Sequence, residues 1–206
     1  MSNRFYELYQ NHCTVLNQLM EQYHGSSEDA KKLRGAVASE LLRQELDRYI
    51  TEHGKPLKVS PVNAYIAGSK FEYDLLVVKP NADAYMGLVY RPEDVVAVIE
   101  SKAGGLFDVE ADTSNIAKAV NRAMSLNSTI RFGYITMSEK VPVHMYKKNG
   151  EPTVKHWELT NQYLQDKIKG TCAIYAVTLH QGKQLCDKGS DEEFEDFASM
   201  ITDYEF

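Results

Sequence analysis

The sequence predicts an α/β domain in which a mixed sheet is flanked by helices, with further helices added at the two ends. Three observations carry this expectation. Val95 to Ile99 is an unbroken, mostly β-branched run, the pattern of a strand buried on both faces. A helical stretch and a second strand-like run follow it, the order of a parallel crossover. Ahead of it, amphipathic helical periodicity gives way to short alternating segments, so the core reads helix, three strands, helix, strand.

Taken in order, Phe5, Leu8, Tyr9, Val15, Leu16, Leu19, Met20 and Tyr23 recur mostly at spacings of three and four, which predicts a helix over 3–23. His24 to Ser27 breaks it, and Ser27 is the expected N-cap of a second helix that includes Leu33 to Ile50. On that helix Glu40 shares a stripe with Leu33, Ala36 and Val37, and a carboxylate there needs a partner or a metal. Glu45 lies nearer the edge of the apolar sector. Gly54 and Pro56 stop the helix, and Leu57 to Ile66 reads as a strand.

Lys70 to Lys79 is a second strand, with Asp74 placed just before its apolar centre. A connection over 80–92 carries Tyr85, Met86 and Leu88, which could line a groove or cover a sheet edge. Val95 to Lys102 is the third strand. A continuous apolar run should stay apolar or turn, yet this one ends in Glu100, Ser101 and Lys102. Alternation puts Glu100 and Lys102 on one face and Ser101 on the other. A helix is expected over 114–126 from Ile116, Ala117, Val120, Ala123 and Met124, then a strand over 132–137, a turn at Lys147 to Gly150, a helix over 157–168 and a strand over 172–179. The end, 190–206, is an acidic helix or tail with Asp191, Glu192, Glu193, Glu195 and Asp196 around Phe194 and Phe197.

With 206 residues the chain suits one domain with a real core: an N-terminal helix over 1–24, a core over 28–180 and the acidic end. No apolar run reaches the roughly 18 residues of a membrane span, and no secretory signal is visible, so the expectation is a cytoplasmic protein. Cys13, Cys172 and Cys186 are odd in number and have no CxxC spacing, which argues against a disulfide framework or a zinc site. The net charge of −6 is the wrong sign for sequence-independent affinity to nucleic acid, so any such partner must meet a local basic patch or a divalent cation. No nucleophile elbow, P-loop or dinucleotide fingerprint occurs.

The pieces EYDLLVVK around Asp74 and VVAVIESKAGG around Glu100 and Lys102, in this element order, resemble the PD-(D/E)XK nuclease superfamily with its restriction-endonuclease-like fold. The stretch HGSSEDAKKLRGAVASELLRQEL looks like the leading helix of bacterial members, in which a helix acid faces the site. The resemblance implies hydrolysis of phosphodiester bonds with Mg²⁺, or Mn²⁺, held by Asp74, Glu100 and the Ser101 carbonyl. Lys102 would position or deprotonate water and stabilise developing charge, and Glu40 would complete the site. Glu72, on the face of Asp74, is a secondary acid.

Lys31, Lys32, Arg34, Arg91, Lys147 and Lys148 are the candidates for phosphate contacts. The implied partners are DNA, with RNA left open, and a second copy of the chain or a larger assembly. Two departures matter: Tyr73 stands where the family pattern has proline, and the helix over 112–126 lacks Gln-x-x-x-Tyr, carrying Asn115, Lys118, Asn121 and Arg122 instead. These lean toward an endonuclease or defence-related effector rather than an exonuclease. The alternative reading is an inactive nuclease-fold binding or regulatory subunit.

Overall fold

The computed structural model describes residues 4–22, 26–103, 109–138, 147–148, 151–152, 174–180 and 190–204. The expected helix over 157–168 and the glycine of the turn at 150 lie outside them. Two helices lead the chain, α1 (Arg4–Gln22) and α2 (Ser27–Glu52). The N-cap of α2 is Ser26, one residue earlier than expected. Its hydroxyl accepts from the Asp29 amide at 3.1 Å and donates to the Asp29 carboxylate, a reciprocal cap that Ser27 is one residue too late to form.

The central sheet has the order β1 (Lys58–Val59), β4 (Leu75–Val78), β6 (Val95–Ala103), β7 (Arg131–Ser138), β10 (Ile174–His180). β1, β4 and β6 pair antiparallel, whereas β6, β7 and β10 pair parallel, so the sheet is mixed as expected. The β6–β7 crossover passes through α3 (Val109–Leu126), which begins before the apolar stripe that marks it in sequence. A smaller sheet joins β3 (Glu72–Tyr73), β2 (Ala64–Ile66) and β5 (Val89–Tyr90), and β8 (Lys147–Lys148) pairs with β9 (Glu151–Pro152).

Two expected strands are each split between sheets. The 57–66 segment becomes β1 and β2, and the 70–79 segment becomes β3 and β4. The reason lies in the bend between them. Buried Ser60 closes onto Leu76 through both its amide and its hydroxyl, Pro61 has no amide to donate, and Asn63 adopts φ 61° while donating its amide to the Asp74 carbonyl. Asp74 therefore sits where the chain leaves the small sheet and enters the large one.

The large sheet is buried on both faces. Leu75, Ala97, Ile99 and Ile135 pack under Leu42 and Leu46 of α2 and under Phe194, Phe197 and Ile201 of α4 (Ser190–Thr202). Leu76, Val98, Phe132 and Tyr134 pack under Ile116 and Val120 of α3. The acidic end is thus part of the core: α4 buries its aromatic stripe, and a Cβ on Gly133 would come within 2.8 Å of the Phe197 ring. Among the described residues no helix is long and apolar enough to cross a membrane.

Candidate functional site

The candidate site forms where β4 and β6 end together. Their ladder runs Val77↔Ala97, Leu76↔Val98, Leu75↔Ile99, and one step further Asp74 stands opposite Glu100. Directly opposed residues of an antiparallel pair share a face. Leu75 and Ile99 point to the α2 layer, so Asp74 and Glu100 point to the α3 side, and Lys102 does so by alternation. The Ser101 amide, at the point where the ladder stops, donates to Asp74 Oδ2 at 2.6 Å, which fixes that carboxylate. Lys102 Nζ lies 3.6 Å from Glu100 Oε2. Ser101 Oγ faces the other way and is buried without a hydrogen-bond partner among the described residues.

The pair is short of positive charge. Burial raises the Asp74 pKa above the usual carboxylate range, against the Ser101 amide and Lys102, which favour the ionised form; Glu72 adds to the rise. Burial also raises Glu100, reinforced by Asp74 and opposed by Lys102 and Arg122. Two facing carboxylates with one partly engaged ammonium are a donor set that a hard divalent cation would satisfy, and Mg²⁺ keeps several waters beside one or two carboxylates. The residues fit such an ion. No cluster of three or more His, Cys, Asp or Glu suited to a metal occurs among the described residues, so two protein carboxylates are what the site offers.

Glu40 is not brought to this site, which corrects the expectation from sequence. Arg43 one turn away grips it through both nitrogens, at 2.8 and 2.7 Å, and Gln44 adds a bond at 2.9 Å. These partners hold the Glu40 pKa below the usual range. Glu40 instead lines a groove with His12, Leu33, Val37 and Leu41, and α2 packs on the sheet face opposite Asp74 and Glu100. Glu45 is buried and engaged by Arg48. Glu72 is exposed, accepts from the Tyr65 hydroxyl at 2.8 Å, and lies close enough to Asp74 to act on its ionisation.

The basic candidates are dispersed. Lys32 and Arg34 lie in the first turns of α2 and Arg91 precedes the short 3-10 turn at Pro92–Asp94. The Lys31, Lys147 and Lys148 side chains lie outside the described ones. The cations that act on the acid pair are Lys102 and Arg122. Arg122 was not singled out by sequence reasoning; its signal is only a polar residue beside the buried Ala123 of α3.

No protein-family model and no curated protein matches the chain. Among solved structures it is similar to NucC of P. aeruginosa ATCC27853 in its cAAA-bound form, with a TM-score of 0.58 and 13% identity over 97% of this chain and 88% of that one. The chain accordingly has the mixed α/β architecture of the NucC nuclease fold, compatible with a restriction-endonuclease-like core.

Proposed function

We propose that this chain is a metal-dependent nuclease that hydrolyses phosphodiester bonds, acting on DNA as an endonuclease or defence-related effector. The observation that carries the reading is the facing Asp74–Glu100 pair with Lys102 beside it at a shared strand end, in a fold that matches a nuclease fold. Asp74, Glu100 and the Ser101 carbonyl would hold Mg²⁺ or Mn²⁺, which when bound offsets phosphate charge and acidifies water. The Ser101 amide keeps the Asp74 carboxylate aimed at the shared face. The side chain of Lys102 is 52% exposed, so its ammonium reaches solvent to orient a water or meet charge developing on phosphate. Lys31, Lys32, Arg34, Arg91, Lys147 and Lys148 would supply phosphate contacts, and self-association or a larger assembly would extend a surface that one acidic chain leaves sparse in cations.

The test is cleavage of plasmid, linear duplex and single-stranded DNA in Mg²⁺, in Mn²⁺ and in EDTA, each with and without cAAA, the ligand held by the structural neighbour. Cleavage that needs metal and disappears in Asp74→Ala and Lys102→Ala is the expected result. A folded wild type that cuts none of these substrates under any condition would favour a nuclease-fold binding or regulatory subunit.

A further inference from the structure

Arg122 is placed unlike the other arginines whose partners the structure defines. Arg43 and Arg48 are gripped by acids of their own helix, and Arg131 lies 3.8 Å from Asp203. Arg122 instead lies on the face of the Phe71 ring, its guanidinium carbon 3.9 Å from the centroid. No carboxylate is within ion-pair distance of it among the described residues, although its charge acts on Glu100. Phe71, 46% exposed, is the residue before β3, three positions ahead of Asp74. The ring and the guanidinium therefore flank the acid pair from two elements, the entry to Asp74 and the α3 crossover.

Stacking on a ring occupies the face of a guanidinium and leaves its in-plane N–H fork available. Such a fork matches the non-bridging oxygens of a phosphate. The ring also keeps the side chain from collapsing onto Glu100, where it would cancel a carboxylate of the site. We propose that Arg122, laid on Phe71, is a phosphate-binding residue of this site, engaging a nucleic-acid backbone phosphate beside the one that is cleaved, with Phe71 as its positioning residue. The inference rests on the nuclease reading above and names a contact that reading does not include.

The experiment measures binding of a short fluorescein-labelled DNA duplex in Mg²⁺, on the Lys102→Ala background, across a series of salt concentrations, alongside cleavage kinetics on the otherwise native chain. Arg122→Ala is expected to weaken binding about tenfold, as for loss of a charged hydrogen-bonded contact, and to lower the slope of log K against log salt by about 0.9 for one phosphate contact. Arg122→Lys should keep the slope while losing part of the affinity. Phe71→Leu should raise KM, and Phe71→Tyr should restore it, since the ring and not the apolar bulk positions the guanidinium. An Arg122→Ala variant with native affinity and native salt slope overturns the proposal while metal-dependent cleavage by the wild type leaves the nuclease reading standing. Equal behaviour of Phe71→Leu and Phe71→Tyr overturns the role of the ring. A wild type that neither cuts nor binds DNA overturns the nuclease reading and this inference with it.

Discussion

Two sets of acids in this molecule have opposite surroundings. Glu40 and Glu45 on α2 each have an arginine three residues ahead, and the helix brings that guanidinium to them. Asp74 and Glu100 lie on two strands whose pairing brings like charges together, with one ammonium at 3.6 Å. Glu40 is accordingly held below the ordinary carboxylate pKa, whereas Asp74 and Glu100 are held above it. An acid neutralised by its own helix serves that helix; acids that the fold forces together without enough counter-charge are free to serve a cation from outside.

The largest expected effect separates these sets in activity. Asp74→Ala and Lys102→Ala should each lower cleavage by about 10³-fold or more, with circular dichroism showing a native fold, while Glu40→Gln stays near the wild-type rate. Equal loss from Glu40→Gln would erase the distinction and return the α2 acid to the site.

Next comes cation binding. A Mg²⁺ or Mn²⁺ concentration of 100 times its dissociation constant should stabilise the wild type by about 2.7 kcal/mol, read as a rise in Tm that Glu100→Gln abolishes and Glu40→Gln keeps. The cation competes with protons for carboxylates whose pKa values are raised, so this stabilisation should fade as the pH is lowered through those raised values.

A smaller effect should appear without metal. For Asp74 and Glu100 the folded pKa exceeds the unfolded one, so between the two the native state binds more protons and stability falls as pH rises. Asp74→Asn or Glu100→Gln should therefore raise the metal-free Tm at neutral pH by about 2–4 °C, the shift that roughly 1 kcal/mol produces in a chain of this size. Removing a buried acid that is merely structural would lower it.

The smallest effect has the opposite sign. Glu40 has a depressed pKa, so its stabilisation is present above the unfolded value and lost as pH falls through the folded one. Its partly exposed pair with Arg43 is screened, so Glu40→Gln should cost only about 0.3–0.5 kcal/mol at neutral pH, measured by denaturant unfolding. A stabilising Glu40→Gln would place that acid with Asp74 and Glu100.

Much of the scaffold was legible locally. The β-branched run of β6, the period of two that puts Glu100 and Lys102 on one face, the apolar stripe of α3 and the crossover to β7 all depend on neighbours in the chain. The splits at Ser60–Asn63 and at Asp74 were hidden, because apolar alternation looks the same whether a strand stays in one sheet or passes to another. Glu40 seemed available because a stripe on a helix names a face but not what that face meets. Its partner Arg43 was visible, yet only the packing of α2 on the far side of the sheet separated it from the acid pair.

The sequence by itself determined that a buried strand ends in Glu100, Ser101 and Lys102, and that an acid precedes the apolar run at Leu75. Those are consequences of side-chain period and composition, which act over a few residues. That Asp74 stands opposite Glu100, that the Ser101 amide aims it, and that Arg122 reaches the same face from α3 were decided by strand register and helix placement. Register is set by the burial of whole strand faces and by the bends that end each strand, so it belongs to the folded chain and to no single stretch of it.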